Sequence, residues 1–394
     1  MLRVMMVLEA TDGGTARHVV DLALGAHSRG FTVHLVCATR REPQFRDTLF
    51  QLRKEGITVH EFDMRRKVNP LRDIAAVVRL RSLILNTAPD VLHLHSSKAG
   101  ALGRSAIIGL GRHCPAVVYT PHAYAFLAQP GRLNRWVYRR VESALLPWTD
   151  GVVAVSESEG QAARRLGAKD RVVVVNNGIN ANKDSLRRSR ERLLRIGWLG
   201  RLTWQKNPVA AIKTSLALSH LGMDHELLLA GDGPDREQVL AAIRELRAEA
   251  SVRLLGHIHD TDAFLASSDV FLMTSRTEGL PYAGLDAMAH GLPIVGFDVP
   301  GVQDLVEPGV TGLLTTPGDS SELAANIARL GRSEELRRSF GFAAQRRVRN
   351  DFQLHEQLDQ LSLLYRSLTA GRMASGIGGR EDIERQCFNF SFTE

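Results

Sequence analysis

Ser275-Arg-Thr-Glu-Gly-Leu-Pro-Tyr-Ala-Gly-Leu-Asp-Ala-Met-Ala-His-Gly-Leu-Pro-Ile-Val295 holds two carboxylates, Glu278 and Asp286, eight residues apart. Between them lie a Gly-Leu-Pro turn and the small residues Ala283 and Gly284, where the pattern predicts the start of a helix. Backbone N–H groups at a helix start lack intrahelical partners and attract anions. A carboxylate beside such an anion site accepts hydrogen bonds from hydroxyls. Phosphate and sugar hydroxyls together point to a nucleotide sugar as the ligand.

Outward from this stretch, β-rich apolar runs alternate with helical patterns. In the second half the predicted strands are Leu194–Trp198, Glu226–Ala230, Val252–Leu255, Val270–Met273 and Pro293–Phe297, with helices such as Val209–His220 and Arg236–Glu249 between them. In the first half they are Leu2–Leu8, Thr32–Cys37, Thr58–Phe62, Val91–His95, Ala116–Thr120, Gly151–Val155 and Val172–Val175, separated by helices such as Thr15–Arg29, Leu71–Leu85, Ala99–Ile108 and Leu133–Leu146. Continuous apolar strands with amphipathic crossovers imply a parallel sheet covered on both faces. The expected fold is therefore α/β, with two Rossmann-like doubly wound domains facing a central cleft at the carboxyl ends of their strands. The expected divisions are 1–177 for an acceptor-side domain, 178–192 for a polar linker, 193–350 for a nucleotide-sugar domain, 351–370 for a last helix (Leu354–Leu368), and 371–394 for a poorly ordered tail.

Bulk properties agree with a soluble, two-domain chain. It has 394 residues, 44% hydrophobic and 24% charged. No run approaches the ~18 apolar residues of a membrane span. The opening Met1–Leu8 turns acidic at Glu9 and reads as a buried strand, not a signal peptide. Three scattered cysteines make neither a disulfide framework nor a zinc site, so a reducing cytoplasm is the expected location. Residues 1–180 carry 25 Lys+Arg against 15 Asp+Glu, whereas the remainder carries 25 against 28. A basic first half suits anionic lipid heads, a phosphorylated acceptor or a merely solvated face. No recognised nucleic-acid motif accompanies it, and no nucleic-acid partner is expected.

Several loops after strands carry chemistry-bearing residues. In Asp12-Gly13-Gly14-Thr15 the glycines allow backbone to approach a phosphate or an acceptor, and the alternative is a tight turn capped by Asp12. The sequence is not Gly-x-Gly-x-x-Gly, which weighs against a nicotinamide or flavin cofactor. His93 and His95 share a strand face, but without an evident third ligand they do not spell a metal site. His122 follows the strand Ala116–Thr120, and Arg201 and Lys206 follow Leu194–Trp198. These two cations can grip a diphosphate, Arg as a planar fork and Lys as a compact charge, or they are ordinary surface cations. The Asp-Gly-Pro turn after Leu229 explains itself by turn chemistry, and Asp260-Thr-Asp262 reads as a helix cap and not as a metal motif. Arg132, Arg135, Arg139 and Arg140 interleave with Leu133, Trp136 and Val137, which reads as a basic outer face on a sheet-covering helix or as a helix lying on an anionic membrane.

The Glu278–Asp286 stretch, with the His122 loop and the Arg201/Lys206 pair, resembles the retaining glycosyltransferases of family 4, which have the GT-B fold. The resemblance implies a transfer from a UDP- or GDP-sugar to an acceptor hydroxyl with retention, without a metal or other cofactor. It implies His122 at the donor sugar and Glu278 on its hydroxyls. Arg201, Lys206 and the Gly284–Leu285 amides would hold the diphosphate. Gly279 and Asp286 would lie at the sugar and ribose, the backbone near Ile258 at the base, and Gly13 and Gly14 at the acceptor or phosphate. It also implies that the last helix crosses back to brace the first domain. A lipid-linked or saccharide acceptor, in cell-surface polysaccharide or glycolipid synthesis at the inner face of the plasma membrane, fits the family and the basic half. One position departs: the family has Glu where this chain has Asp286, shorter by about 1.5 Å of reach, which predicts weaker donor binding. A non-catalytic partner subunit and a nucleotide-sugar epimerase are the rival expectations.

Overall fold

The computed structural model describes residues 1–38, 45–65, 67–128, 131–181 and 193–374. Residues 182–192 of the expected linker and 375–394 of the expected tail lie outside the described residues. The chain divides into two compact units, Asn177–Leu354 and the rest, so it passes between them at Asn176/Asn177 and again at Leu354/His355.

The first unit is built on β1 (Arg3–Leu8), β2 (Thr32–Ala38), β3 (Thr58–Phe62), β4 (Val91–His95), β5 (Ala116–Thr120), β6 (Gly151–Ala154) and β7 (Val172–Val174). These form one parallel sheet in the order β3-β2-β1-β4-β5-β6-β7. Val4–Leu8 and all of β4 and β5 are buried, as strands with both faces covered must be. The strand order reverses between β1 and β4.

The second unit has β8 (Leu194–Leu199), β9 (His225–Ala230), β10 (Val252–Gly256), β11 (Val270–Met273), β12 (Ile294–Phe297) and β13 (Gly312–Thr315), parallel in the order β10-β9-β8-β11-β12-β13. Its reversal falls between β8 and β11. The sequence does not predict β13. The strand exists because Gly312 lets the chain pair closely with Ile294, whose carbonyl oxygen a Cβ at Gly312 would strike.

The start of the expected linker is ordered differently from a free tether. Ile179 donates its amide to the Phe352 carbonyl at 2.9 Å, and the Leu354 amide donates to the Ile179 carbonyl at 3.2 Å. A Cβ on Gly178 would sit 2.5 Å from the Gln353 carbonyl oxygen, so only glycine fits against that strand-like pairing.

The last helix runs Leu354–Ala374, six residues beyond the predicted end. From His355 onward it belongs to the first unit. Gly25, on the helix Gly13–Ser28, leaves room for the Leu358 side chain. The Tyr365 hydroxyl meets His93 Nδ1 at 2.6 Å, Asp359 pairs with Arg29 at 2.7 Å, and Arg372 pairs with Asp150 at 2.7 Å.

Candidate active site

In the second unit the loops after β8 and β11 flank the strand-order reversal, where ligands of doubly wound sheets bind. The loop 200–207 leaves β8 and ends at Asn207, whose left-handed φ of 52° turns the chain into the helix Pro208–His220. Thr274, just past β11, bonds the Lys206 and Asn207 carbonyls at 3.2 and 3.0 Å, and the Trp198 indole donates to its hydroxyl at 3.0 Å. Gln205 closes the clamp: its side-chain amide donates to the Thr277 carbonyl at 3.0 Å, and its own carbonyl accepts the Arg276 amide at 2.8 Å.

This clamp brings Lys206 Nζ to 2.6 Å from Glu278 Oε1. Ser275 Oγ donates to the same oxygen at 2.5 Å. The Glu278 side chain is only 7% exposed, and its amide donates to the Pro300 carbonyl at 2.9 Å. Gly301 is held at φ 83°, where a Cβ would lie 2.5 Å from the Gly279 oxygen and 2.7 Å from Glu278 Cβ. The nearly buried carboxylate thus has one ammonium and one hydroxyl as its partners. Both donors converge on Oε1, and among the described residues none is recorded on Oε2. Such an oxygen can accept from a sugar hydroxyl, while the ammonium can turn to a phosphate.

Gly284 and Leu285 lie in the first turn of the helix Tyr282–Ala289, as expected, but their amides both donate to the Pro281 carbonyl, at 3.0 and 3.1 Å. As donors to an anion they would have to share those protons. The firmer reason for glycine at 284 is steric, since a Cβ there would strike the Leu305 side chain. Asp286 is half-buried one turn on from Tyr282, and its carbonyl accepts from His290 Nδ1 at 2.8 Å. Arg201 is half-buried in the Lys206 loop. Ile258 follows the edge strand β10, three strands from β11 and so about 14 Å along the sheet. Asp260 caps the helix Thr261–Ala266 by accepting the Ala263 amide at 2.8 Å.

The first unit carries a histidine cluster at its own reversal. His95 ends β4, and its Nδ1 lies 3.1 Å from His122 Nε2. The sequence shows no third ligand beside His93 and His95; the structure instead gathers two other histidines, His122 and His18, around His95. His18, from the helix Gly13–Ser28, puts its ring 4.5 Å from that of His122. His18, His95 and His122 each offer a ring nitrogen, all within 4.8 Å of one another. His93 is committed elsewhere, to Tyr365 at 2.6 Å and the Thr120 hydroxyl at 2.8 Å. Burial holds His93, His95 and His122 well below the ordinary imidazole pKa, and the neighbouring imidazoles add to this. His122 and Ala123 both adopt left-handed backbone, at φ 54° and 74°. Gly13 and Gly14 open the first helix exposed, Gly13 at φ 63°, and Asp12 stands at the N-cap position in extended backbone without a side-chain bond to the helix amides.

A family model described as Glycosyltransferase Family 4 matches residues 12–183, and one described as Glycosyl transferases group 1 matches residues 194–333. The chain belongs to glycosyltransferase family 4. Over 316 residues it is 25% identical to the UDP-Gal:alpha-D-GlcNAc-diphosphoundecaprenol alpha-1,3-galactosyltransferase of Escherichia coli, covering 76% of this chain and 81% of that protein. It is 24% identical to the capsular polysaccharide biosynthesis glycosyltransferase CapM of Staphylococcus aureus, over 84% of this chain and 96% of that protein. The fold is GT-B: HepE of Anabaena superposes with a TM-score of 0.75 at 21% identity, over 93% of this chain and all of HepE. The sequence singles out Lys206 and Glu278, which the structure brings together, but does not single out their neighbours Ser275, Gln205 and Gly301, nor His18. Their roles arise from contacts between distant segments, and only the Ser275–Glu278 spacing offered a local signal.

Proposed function

We propose that this glycosyltransferase moves a sugar from a UDP-sugar, with a GDP-sugar as the alternative donor, to a hydroxyl of a lipid-linked or saccharide acceptor, with retention at the anomeric carbon. The observation that carries the proposal is the Lys206–Glu278 pair at the strand-order reversal of the second unit. The bond from the anomeric carbon to the diphosphate breaks with its electrons passing to the phosphate oxygen, and the sugar gains cationic character. Lys206 and Arg201 neutralise the departing diphosphate, so no metal is required there. Glu278, released from Lys206, takes donor-sugar hydroxyls. His122 orients the sugar, and the acceptor oxygen attacks from the face the diphosphate leaves, passing its proton to the departing phosphate oxygen.

The UDP reading is supported by HepE, which has been solved with UDP and with UDP-glucose. A polysaccharide or glycolipid product, on an acceptor carried by a membrane lipid, is supported by the names of the E. coli and S. aureus relatives. No helix among the described residues is long and apolar enough to cross a membrane. Peripheral attachment to an anionic leaflet, on the cytoplasmic side, is supported by the helix Arg132–Leu145. Its outer face is not merely basic: Leu133, Trp136, Val137 and Val141 are exposed at helical spacing among Arg132, Arg135, Arg139 and Arg140.

Calorimetric titration with UDP, GDP and their glucose, galactose and N-acetylglucosamine conjugates tests the donor. UDP-sugar binding that Lys206→Ala weakens is expected, and binding of no nucleotide would end the proposal. Product analysis with and without acceptor separates transfer from epimerisation.

A further inference from the structure

We propose that His18, His95 and His122 form a binding site for a transition-metal ion of the Zn2+ class. The three residues come from separate elements of the first unit: the helix Gly13–Ser28, the end of β4 and the loop after β5. Their ligand nitrogens lie within 4.8 Å of one another. Zn–N bonds of ~2.0–2.1 Å in a tetrahedron set neighbouring nitrogens roughly 3.3 Å apart. His95 Nδ1 and His122 Nε2 already stand at 3.1 Å, so only the His18 ring need turn inward.

The rest of the His95 ring makes no competing bond among the described residues: Nε2 is buried and has no hydrogen-bond partner there. One ion takes one nitrogen of a ring: Nδ1 of His95, which faces His122 at 3.1 Å, is the ligand, and Nε2 then carries the proton. His18 is oriented from behind: its Nδ1 meets the Gln357 side-chain amide at 3.1 Å. Rotating that amide by half a turn lets its oxygen accept from Nδ1–H, which fixes the tautomer that leaves Nε2 as the ligand. His93 is excluded because both its nitrogens are engaged. His122 is half-buried, the least covered of the three rings, and provides the way in. Three imidazoles with a further position open to water suit Zn2+, Ni2+ or Co2+ and not Mg2+ or Ca2+, which prefer oxygen. A bound ion ties the loop after β5 to the first helix. The site uses residues of the first unit alone; it shares His122 with the proposed transfer, so its test reads metal binding and not turnover.

Equilibrium dialysis of Zn2+ against the untagged, chelator-stripped full chain tests it, with Co2+ absorption as a report on nitrogen ligation. One equivalent is expected in the wild type, weakened at least about tenfold in both His18→Gln and His122→Gln. Binding is expected to persist in His34→Gln, which breaks the separate His34–His60 contact. His122 lies on a loop, so its variant reads the site even where His18→Gln perturbs folding. No Zn2+ bound at micromolar concentration, or equal affinity in the His122→Gln variant, overturns the proposal.

Discussion

Glu159 accepts the Ala123 amide at 2.6 Å with one carboxylate oxygen and the Val155 amide at 2.8 Å with the other. The carboxylate is buried and holds the loop that carries His122. That loop needs holding, because His122 and Ala123 are both left-handed, which costs roughly 1–2 kcal/mol for each such residue. Glu159→Gln keeps the shape but turns one acceptor into a donor facing an amide. A hydrogen bond to a charged group contributes about 1.5–3 kcal/mol, so kcat/KM is expected to fall roughly 10- to 100-fold. Glu159 acts on His122 through the backbone, so Glu159→Asp should recover part of the loss. Equal rates for wild type and Glu159→Gln would remove this positioning role.

Lys206 and Glu278 give the sharpest test of the second unit. Lys206→Ala and Glu278→Ala should each lower kcat/KM by about 100-fold or more, the scale of a lost transition-state donor, with a much smaller change in urea midpoint. The two residues contact each other, so the double variant should lose less than the sum of the singles. Strictly additive losses, or turnover preserved in both single variants, would count against a shared role.

How much of this was legible in the sequence depends on whether the cause is local. Thr58–Phe62, Val91–His95, Ala116–Thr120 and Val270–Met273 read as strands and are strands with those ends, because β-branched apolar runs between turn residues carry their own signal. β13 is short, begins with Gly312 and follows Pro308-Gly309, so only its pairing with β12 reveals it. The sequence predicts a last helix that ends at Leu368, before Gly371. It continues because Arg372 donates to the Cys114 carbonyl at 2.6 Å and pairs with Asp150, tertiary bonds that outweigh the propensity of one glycine. His18 lies within the helix Gly13–Ser28, and nothing local in the sequence links it to His95 or His122.

Stability should fall on the acid side. Burial, reinforced by adjacent imidazoles, keeps His93 and His95 neutral in the folded state well below the ordinary range. In the unfolded chain each titrates near about 6.5. Below that pH the unfolded chain binds protons that the folded chain does not. Stability is therefore complete above about pH 6.5 and declines as pH drops, by up to roughly 1.4 kcal/mol per pH unit for each fully buried ring. Urea midpoints at pH 7.5, 6.5 and 5.5 in chelating buffer should decrease in that order, with a shallower slope in His93→Gln. A midpoint unchanged from pH 7.5 to 5.5 would contradict the buried neutral state.

Glu142 is the buried residue of a helix whose apolar side chains face outward, so a carboxylate and not a hydrophobic stripe anchors it. Its Oε2 accepts from Arg104 Nη2 at 2.7 Å and its Oε1 from the Tyr119 hydroxyl at 2.8 Å. Arg104 is wholly buried, donates from Nε to the Gly100 carbonyl at 2.8 Å, and lies 4.1 Å from the Tyr119 ring centre. Burial, with Glu142 adding to it, keeps Tyr119 protonated and therefore a donor. Removing the carboxylate alone strands a buried guanidinium, at a cost of about 3–5 kcal/mol. Glu142→Ala should thus lower the urea-unfolding free energy by that amount, whereas Arg104→Met combined with Glu142→Leu should lose far less, since neither charge is then left unpaired. A double variant as unstable as Glu142→Ala would mean that packing, and not charge pairing, fixes this helix to the sheet.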